Sequence, residues 1–317
     1  METSKSTKIP VICLIGPTAT GKTQLAIRLA KRLNTEIISA DSAMVYRGLD
    51  IGTAKPSLEL RQNIPHHLID ICSPIDIYSA GQFCDDVTQL IQKHFVKDQI
   101  PLIAGGTMLY FHLLQNGMAN LPKKNETIRG QLPQKAKLEG FQTLHQLLTH
   151  KDPETAKKLH PNDIQRLQRA LEIYYITGRQ PSQLYQEQKL DCPFTFISIA
   201  LLPPSKTLLH EKIKIRFDQM LHEGFIDEVE QLYYKSSLHA NLPALRTVGY
   251  RQIWQYLEGK YDYETMIDQV LSATHQLAKH QMTWLKRWES PNMLTLRYDE
   301  EKLIEKILCA LETFKTI

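Results

Sequence analysis

The chain has 317 residues, of which 42% are hydrophobic and 23% are charged, and its formal net charge is +4. These values are ordinary for a globular protein with one elaborated domain or two, and no apolar run approaches the roughly 20 residues that span a bilayer. The five cysteines are scattered without C-x-x-C spacing and the N-terminus is polar, so we expect no zinc site, no disulfide framework, no secretory signal and no membrane partner. A cytoplasmic monomer is the default expectation.

The N-terminal part alternates between predicted strands and helices. The continuous apolar run Val11–Ile15 predicts a buried strand, and helical spacing follows over Lys22–Leu33. Further strands are predicted at Glu36–Ser39 and Ile100–Ala104, separated by a helix that opens at the capping-box residue Ser79. Together with the phosphate-loop motif GPTATGKT between the first strand and the first helix, this order predicts the α/β class, with a P-loop NTPase-like parallel sheet flanked by helices.

The pattern changes at Leu121, where strand signals stop and prolines punctuate short amphipathic helices. We therefore predict an all-helical insertion domain over residues 121–189, within a catalytic core of residues 1–120 and 190–317. A β-type run then returns at Phe194–Leu202, and it should rejoin the main sheet. Four helices are predicted after it: Leu208–Leu221, Phe225–Tyr234, Val248–Leu257 and Tyr263–Trp288.

The positive charge is concentrated in the predicted insertion. Residues 121–189 contain 12 Lys/Arg and 7 Asp/Glu, whereas the rest of the chain contains 26 basic and 27 acidic residues. Such a local excess favours a polyanionic partner, although a solvated helical face explains the charge alone equally well.

The segment GPTATGKT, which follows the first predicted strand and opens the first helix, matches the phosphate-binding pattern G-x-x-x-x-G-K-[ST]. Its main-chain N–H groups and the helix dipole attract an anion, Lys22 adds a positive charge, and the Thr23 hydroxyl is a ligand for Mg²⁺. The predicted donor-phosphate site consists of Gly16, Pro17, Thr18, Ala19, Thr20, Gly21, Lys22 and Thr23.

A carboxylate near this loop is expected from the second predicted strand. The strand that ends at Ala104 is followed by Gly105-Gly106-Thr107, which contains no acid, whereas the strand at Glu36–Ser39 leads to Asp41. Because adjacent parallel strands place their carboxyl ends together, Asp41 is predicted to lie nearest to the loop. The alternative role for Asp41 is to cap a helix or a turn.

Seven segments, in order over nearly the whole chain, closely resemble the tRNA dimethylallyltransferases, in their bacterial form. They are GPTATGKT, ISADSAMVYRGLDIGTAKP, PHHLID, AGGTMLY, HPNDIQRLQRALEIY, LRTVGYRQIWQYLEG and QLAKHQMTWLKRW. The resemblance implies transfer of a dimethylallyl group from dimethylallyl pyrophosphate to the N6 amine of adenosine 37, in the anticodon stem-loop of tRNA. The loop would then hold a pyrophosphate that leaves, so the bond that breaks is carbon–oxygen.

The resemblance also implies the roles of individual residues. Asp41 would accept the proton of the amine, and Arg216 with Thr23-bound Mg²⁺ would stabilise the leaving group. The target adenine would be flipped out of its stack to reach Asp41. The implied tRNA-binding residues are Asp41, Ser42, Ala43, Met44, Thr107, Arg129, Gln165, Arg166, Leu167, Gln168, Arg169, Arg246, Thr247, Val248, Gly249, Tyr250 and Arg251.

Two residues depart from the family pattern: His280 stands where arginine is common, and Met44 stands where glutamine is frequent. The pair His66-His67 resembles part of a metal site, but no carboxylate or cysteine completes the ligand set, so packing in the core or in a turn is the favoured interpretation. The tryptophans Trp254, Trp284 and Trp288 are expected in the core.

Three alternative functions remain open at this stage. A P-loop kinase of small molecules would use Arg166 and Arg169 to close over a phosphate donor. An isopentenyltransferase acting on free adenylate shares the chemistry but has no use for the basic insertion. A non-catalytic RNA-binding protein would keep the cations without needing Lys22, Thr23 and Asp41 together.

Overall fold

A computed structural model describes residues 8–117, 121–122, 125, 127–128, 130, 132, 142–187, 192–288, 293–297 and 300–315. The chain forms two compact units, the first from Met1–His112 and Pro193–Ile317 and the second from Leu113–Cys192. The second unit contains all of residues 121–189, for which an insertion domain is predicted.

The first unit is built on a six-stranded sheet with the order β3-β2-β4-β1-β5-β6, in which every pair of neighbours is parallel. The predicted α/β fold class is therefore confirmed. The strands are β1 (Ile9–Ile15), β2 (Ile37–Ala40), β3 (His66–His67), β4 (Leu102–Gly105), β5 (Phe194–Leu202) and β6 (Met293–Arg297).

Helices cover this sheet and extend from it. Those before the second unit are α1 (Lys22–Leu33), α2 (Leu58–Asn63) and α3 (Ala80–Val96), and α4 (Met108–Asn116) begins in the first unit and ends in the second. The second unit contains α5 (Gln142–Lys151), α6 (Pro153–Lys158), α7 (Ile164–Thr177) and α8 (Pro181–Gln186). After it follow α9 (Lys206–His222), α10 (Phe225–Tyr233), α11 (Tyr250–Leu257), α12 (Tyr263–Lys286) and α13 (Glu300–Lys315). None of the helices in the described part of the chain combines the length and the apolar character needed to cross a bilayer.

The order of the strands corrects one step of the sequence argument. β1 and β2 are not neighbours, because β4 lies between them and pairs with both. The carboxyl ends of all three still meet at one edge, since Ile15 and Ala40 are both paired with Gly105. Only glycine fits at this point of β4: a Cβ on Gly105 would lie 2.1 Å from the carbonyl oxygen of Ala40.

Apolar side chains explain why these elements pack as they do. β1 is buried from Val11 to Ile15, as expected for a strand covered on both faces. One core joins the sheet to α1 and α13, and a second joins the segment Val45–Leu49 to α9, α10, α11 and α12. At about 25 cal/mol per Å² of buried apolar surface, such cores provide the main stabilisation of the fold.

The second unit has its own small core, formed by apolar residues of α5, α6 and α7. Its turns are fixed by Asp152, whose side chain is fully buried. The carboxylate accepts hydrogen bonds from the main-chain N–H and hydroxyl groups of Thr155 and Ser182, at 2.6–3.0 Å. These four bonds hold the pKa of Asp152 below its ordinary value, although burial opposes them. One residue thus caps α6 and ties it to α8.

Candidate active site

A cavity of about 580 Å³ opens at the carboxyl edge of the sheet. Its wall includes the phosphate loop through Thr18 and Lys22, the end of β2 through Asp41, and the end of β4 through Thr107. Ligand sites in open parallel sheets lie at this edge, so the position follows from the fold. Other parts of the wall come from α9, α12 and the segment before α11.

The phosphate loop is held in its curved form by internal contacts. Gly21 caps α1 with φ +81°, a left-handed conformation that glycine adopts without strain. The hydroxyl of Thr20 and the ammonium group of Lys22 both donate to the carbonyl oxygen of Pro17, at 2.8 and 2.5 Å. A Cβ on Gly16 would lie 2.6 Å from the carbonyl oxygen of Leu201, so this glycine allows the close approach of β5.

The two cations of the cavity wall, Lys22 and Arg216, both have lowered proton affinity. Burial, followed by the nearby Arg216 guanidinium, lowers the pKa of Lys22 to about 7, while Asp41 partly opposes the change. Burial also lowers the pKa of Arg216, again opposed by Asp41. Concentrated positive charge in a dry cavity attracts an anion with several charges.

Arg216 is positioned by oxygen atoms from two segments. Its guanidinium donates to the hydroxyl of Thr18 in the phosphate loop and to the carbonyl oxygen of Thr53, both at 3.3 Å. The structure therefore brings Arg216 to the predicted donor site, although 193 positions separate it from Thr23.

Asp41 follows β2 and is fixed by the turn that it begins. One oxygen, Oδ1, accepts hydrogen bonds from the main-chain N–H groups of Ala43 and Met44, at 2.9 and 3.3 Å. Among the described residues no hydrogen bond to Oδ2 is found, so this oxygen can accept a proton donor from the cavity. The capping role that the sequence left open and a chemical role are thus compatible, because each uses a different oxygen.

Thr107 links the ends of two strands next to Asp41. Its main-chain N–H donates to the carbonyl oxygen of Ala40 at 3.1 Å, and its Oγ1 accepts from the main-chain N–H of Ser42 at 3.0 Å. Ala43 and Met44 complete this side of the cavity. Met44, one of the two departures from the family pattern, therefore contributes a thioether to the wall.

Gln281 is an important residue that sequence reasoning missed. This side chain on α12 is buried, accepts a hydrogen bond from the main-chain N–H of Thr18 at 2.9 Å, and donates to the carbonyl oxygen of Gly106 at 2.8 Å. One amide thus joins the phosphate loop to the end of β4. No pattern in the sequence predicts these contacts, because the partners of Gln281 are 263 and 175 residues away from it.

A second carboxylate shapes the cavity without facing it. Glu228 on α10 accepts hydrogen bonds from the main-chain N–H groups of Asp50, Ile51 and Gly52 at 2.7–3.2 Å, and from the hydroxyl of Tyr250 at 2.5 Å. These contacts fix the segment that leads to Thr53, the partner of Arg216.

The predicted tRNA-binding segment before α11 divides into two groups. Arg246, Thr247, Val248 and Gly249 line the cavity, whereas Tyr250 is fully buried and Arg251 is exposed outside the lining. Gly249 has φ +91°, and a Cβ there would lie 2.9 Å from the ring of Phe225. The glycine therefore allows the approach of an aromatic side chain of the core.

Two aromatic rings on α12 lie at the cavity, and one corrects a prediction. His280 and Trp284 both line it. Trp284 is 38% exposed and meets the ring of His112 edge-on, so the expectation that it belongs to the core is wrong. Trp254, in contrast, is buried as predicted.

In the second unit the predicted RNA-binding residues of α7 differ in how far their side chains are exposed. Gln165 and Arg166 are exposed, Gln168 is half-buried, and Leu167 is fully buried in the core of the unit, where its side chain cannot meet a ligand. Arg169 is bonded to the buried carboxylate of Glu172 at 2.7 Å and to the carbonyl oxygen of Pro122 at 2.8 Å. Arg129 lies outside the described residues.

Comparisons with known proteins point to one family. A family model described as IPP transferase matches residues 44–288. The tRNA dimethylallyltransferase of Coxiella burnetii (strain RSA 493 / Nine Mile phase I) is 49% identical over 300 residues, which is 94% of this chain and 96% of that protein. The solved structure of full-length tRNA isopentenylpyrophosphate transferase from Bacillus halodurans is 34% identical with a TM-score of 0.70, covering 98% of this chain and 99% of that one. A eukaryotic dimethylallyltransferase acting on tRNA reaches a TM-score of 0.84 at 28% identity, covering 97% of this chain and 80% of its own.

Proposed function

The chain belongs to the IPP transferase family, and from that premise we propose that it transfers a dimethylallyl group from dimethylallyl pyrophosphate to the N6 amine of adenosine 37 beside the anticodon of tRNA. It is a transferase of the prenyltransferase class. The observation that carries the proposal is that one cavity combines a phosphate loop, the cations Lys22 and Arg216, and the free oxygen of Asp41.

The leaving group is the first half of the chemistry. When the allylic C–O bond breaks, its electron pair stays on the bridging oxygen of the pyrophosphate, where negative charge accumulates. The N–H groups of the phosphate loop, the Lys22 ammonium and the Arg216 guanidinium are donors held in place before the reaction, and such donors stabilise developing charge at little cost of reorganisation.

The nucleophile is the second half. The lone pair of the adenine N6 is delocalised into the ring, so the amine is weak and needs a base. Asp41 Oδ2 is suited to accept an N6 hydrogen bond and then the proton as the C–N bond forms, while Oδ1 keeps the carboxylate in place through Ala43 and Met44. The adenine reaches this oxygen only after it leaves its stack.

Mg²⁺ is the proposed cofactor, with Thr23 as its protein ligand. Thr23 is exposed at the first turn of α1 and lines the cavity beside Lys22, and a hydroxyl that works together with pyrophosphate oxygens makes the hard oxygen ligand set that Mg²⁺ prefers. The ion would supply charge neutralisation on the pyrophosphate when bound.

For the tRNA, we propose that residues 121–189 bind the anticodon stem-loop, while Thr107 and the segment Arg246–Gly249 contact nucleotides near the reacting base. The excess of basic residues in 121–189 and the exposed side chain of Arg166 support this division. Contacts from arginine to phosphate, together with a splayed base, are typical of recognition of single-stranded RNA loops.

One assay distinguishes the proposal from its alternatives. The protein is supplied with unmodified tRNA, AMP, dimethylallyl pyrophosphate, ATP and Mg²⁺, and each carbon and phosphate product is identified by mass spectrometry. Prenylated tRNA with stoichiometric pyrophosphate is the expected result. Prenylated AMP would indicate an adenylate isopentenyltransferase, phosphate transfer from ATP would indicate a kinase, and tRNA binding without product would indicate a binding protein.

A further inference from the structure

A cluster of three possible metal ligands lies on the other face of the sheet from the active-site cavity. Glu36 immediately precedes β2, His67 lies in β3, and His94 lies on α3. Because neighbouring residues of a strand point to opposite faces, His66 lines the cavity and His67 turns away from it. The ligand atoms of Glu36, His67 and His94 all lie within 4.8 Å of one another.

This cluster corrects the interpretation of the His66-His67 pair drawn from the sequence. No ligand beside the pair in the sequence completes a metal site, but the fold supplies one ligand from 31 residues before His67 and another from 27 residues after it. Only His67 of the pair takes part, since the ring of His66 bonds to the carbonyl oxygen of Ile64 instead.

The ring of His94 gives an independent indication of a cation. Its side chain is 2% exposed, and its Nδ1 lies 2.8 Å from the carbonyl oxygen of Leu90. A carbonyl only accepts, so Nδ1 carries the proton and the neutral ring presents a lone pair at Nε2. That nitrogen is buried without a hydrogen-bond partner and faces Oε2 of Glu36 at 3.8 Å.

A buried lone pair that faces a carboxylate is unfavourable unless a positive charge lies between them. A metal ion satisfies both groups, and a histidine that donates its other ring N–H to a carbonyl is the usual arrangement of a metal ligand.

The distances within the cluster suit a small ion. In a tetrahedral zinc site with bonds of about 2.0–2.1 Å, neighbouring ligand atoms lie about 3.3 Å apart. Oε2 of Glu36 lies 2.6 Å from Nε2 of His67 and 3.8 Å from Nε2 of His94, so each of these two distances is less than 1 Å from this spacing, and the ligand atoms of the two histidines lie within 4.8 Å of each other. The second carboxylate oxygen, Oε1, is 3.2 Å from the ammonium group of Lys97.

We propose that Glu36, His67 and His94 form a binding site for a divalent transition metal of the zinc type, with two imidazole nitrogens, one carboxylate oxygen and a water molecule as ligands. Imidazole with carboxylate is a ligand set that zinc accepts, whereas Mg²⁺ prefers oxygen alone. The ion joins α3 to β2 and β3, and β2 leads within five residues from Glu36 to Asp41. The site is therefore separate from the phosphate loop.

The test is metal binding by the full-length protein after treatment with a chelator. Equilibrium dialysis against Zn²⁺ should give one tight site per chain, and Co²⁺ should give the intense visible absorption of four-coordinate nitrogen and oxygen ligation, without a thiolate band. His94→Gln, His67→Gln and Glu36→Gln should each weaken binding about 100-fold and remove the visible band. Zn²⁺ should also raise the melting temperature of the native chain and not that of these variants.

Two further variants keep the proposal falsifiable if a ligand variant folds poorly. His275→Gln removes another ring whose Nε2 is buried without a hydrogen-bond partner, and it should leave metal binding unchanged. Lys97→Ala keeps all three ligands and removes the competing cation at Glu36, so it should tighten binding by about threefold or more. The proposal is overturned if the native chain binds no Zn²⁺ more tightly than about 10 µM, if the band survives His94→Gln, or if Lys97→Ala weakens binding or leaves it unchanged.

Discussion

At the scale of single residues, the proposed chemistry depends on the two oxygens of Asp41 having different tasks. Asp41→Asn keeps a side-chain oxygen for the N–H groups of Ala43 and Met44, so the turn and the binding of tRNA should be nearly unchanged. Loss of the base should lower kcat by about 100- to 10,000-fold. Single-turnover prenylation and a tRNA-binding titration of the same variant measure the two effects separately.

The matched control for this variant is Asp218→Asn, which neutralises an exposed acid on the helix that carries Arg216. Its turnover should stay within about twofold of the native value, as expected for a surface substitution. If Asp41→Asn retained more than a tenth of native turnover, the role of Asp41 as a base would be refuted.

The proton affinity of Lys22 leads to a prediction about pH. Its pKa in the free protein is about 7, because of burial and the charge of Arg216, and a bound pyrophosphate should raise that pKa. Binding therefore takes up about half a proton at pH 7, and the affinity for dimethylallyl pyrophosphate should fall by up to about tenfold per pH unit above that value. Calorimetry in buffers of different ionisation enthalpy measures the uptake.

Lys22→Met gives the comparison for this prediction, because it removes the titrating group. Its affinity for dimethylallyl pyrophosphate should be weaker at every pH and nearly constant between pH 7 and 9. If the affinity for dimethylallyl pyrophosphate fell with pH equally steeply in the variant and in the native protein, the pH dependence would belong to another group.

At the scale of the elements, α12 controls the phosphate loop through Gln281. Gln281→Ala would leave the N–H of Thr18 and the carbonyl oxygen of Gly106 without this partner, which should cost about 1–3 kcal/mol of unfolding free energy. Because Thr18 belongs to the donor site, KM for dimethylallyl pyrophosphate should also rise. Thermal unfolding and steady-state kinetics test both parts.

Gln276→Ala is the matched control, since Gln276 is an exposed glutamine on the same helix. It should change the unfolding free energy by less than about 0.5 kcal/mol and leave KM unaltered. If Gln281→Ala and Gln276→Ala changed the unfolding free energy and KM equally, the hydrogen bonds of Gln281 would have no special role.

The elements show where sequence patterns suffice for prediction. Phe194–Leu202 is predicted and found with the same ends, because a continuous apolar run flanked by a proline on each side has one compatible structure in a parallel sheet. The capping box at Ser79 likewise gives the start of α3 correctly. β3 has two residues, too few for any periodicity, and was missed, as were β6 and α13.

The residues of the candidate site also fall into two groups: those that a local sequence pattern identifies and those that only the fold brings together. The phosphate loop and Asp41 are found from the sequence, because each is a local pattern at the end of a strand. Gln281 is not, since only the fold brings it to Thr18. Helical spacing predicts that Trp284 lies on an apolar face and therefore in the core. The spacing does not tell whether that face packs against other side chains or, as here, lines a cavity.

At the scale of the whole molecule, the concentration of basic residues in 121–189 predicts an interaction with tRNA that depends on salt. Each phosphate contact that is lost should lower the slope of log affinity against log salt concentration by about one. Arg166 is 72% exposed and only weakly paired with Asp163, at 3.4 Å. Arg166→Gln should therefore reduce the slope by about one without lowering the melting temperature.

Arg169 provides the contrast within the same helix. Its guanidinium is already bonded to Glu172, whose side chain is fully buried, so Arg169→Gln should lower the stability of the second unit by about 3 kcal/mol or more. A change in the salt slope with unchanged stability would instead assign Arg169 to the tRNA. Filter binding at several salt concentrations, with thermal unfolding of each variant, separates the two roles.

The most direct test of the central claim is the fate of the oxygen that joins carbon to phosphorus in dimethylallyl pyrophosphate. The donor is labelled with ¹⁸O at that bridging position and incubated with tRNA, Mg²⁺ and the protein, and both products are analysed by mass spectrometry. Since the phosphate loop is proposed to hold the leaving group while the C–O bond breaks, all of the label should appear in the released pyrophosphate and none in the prenylated nucleoside. Label retained on carbon, as dimethylallyl alcohol, would mean that the phosphorus–oxygen bond is the one that breaks.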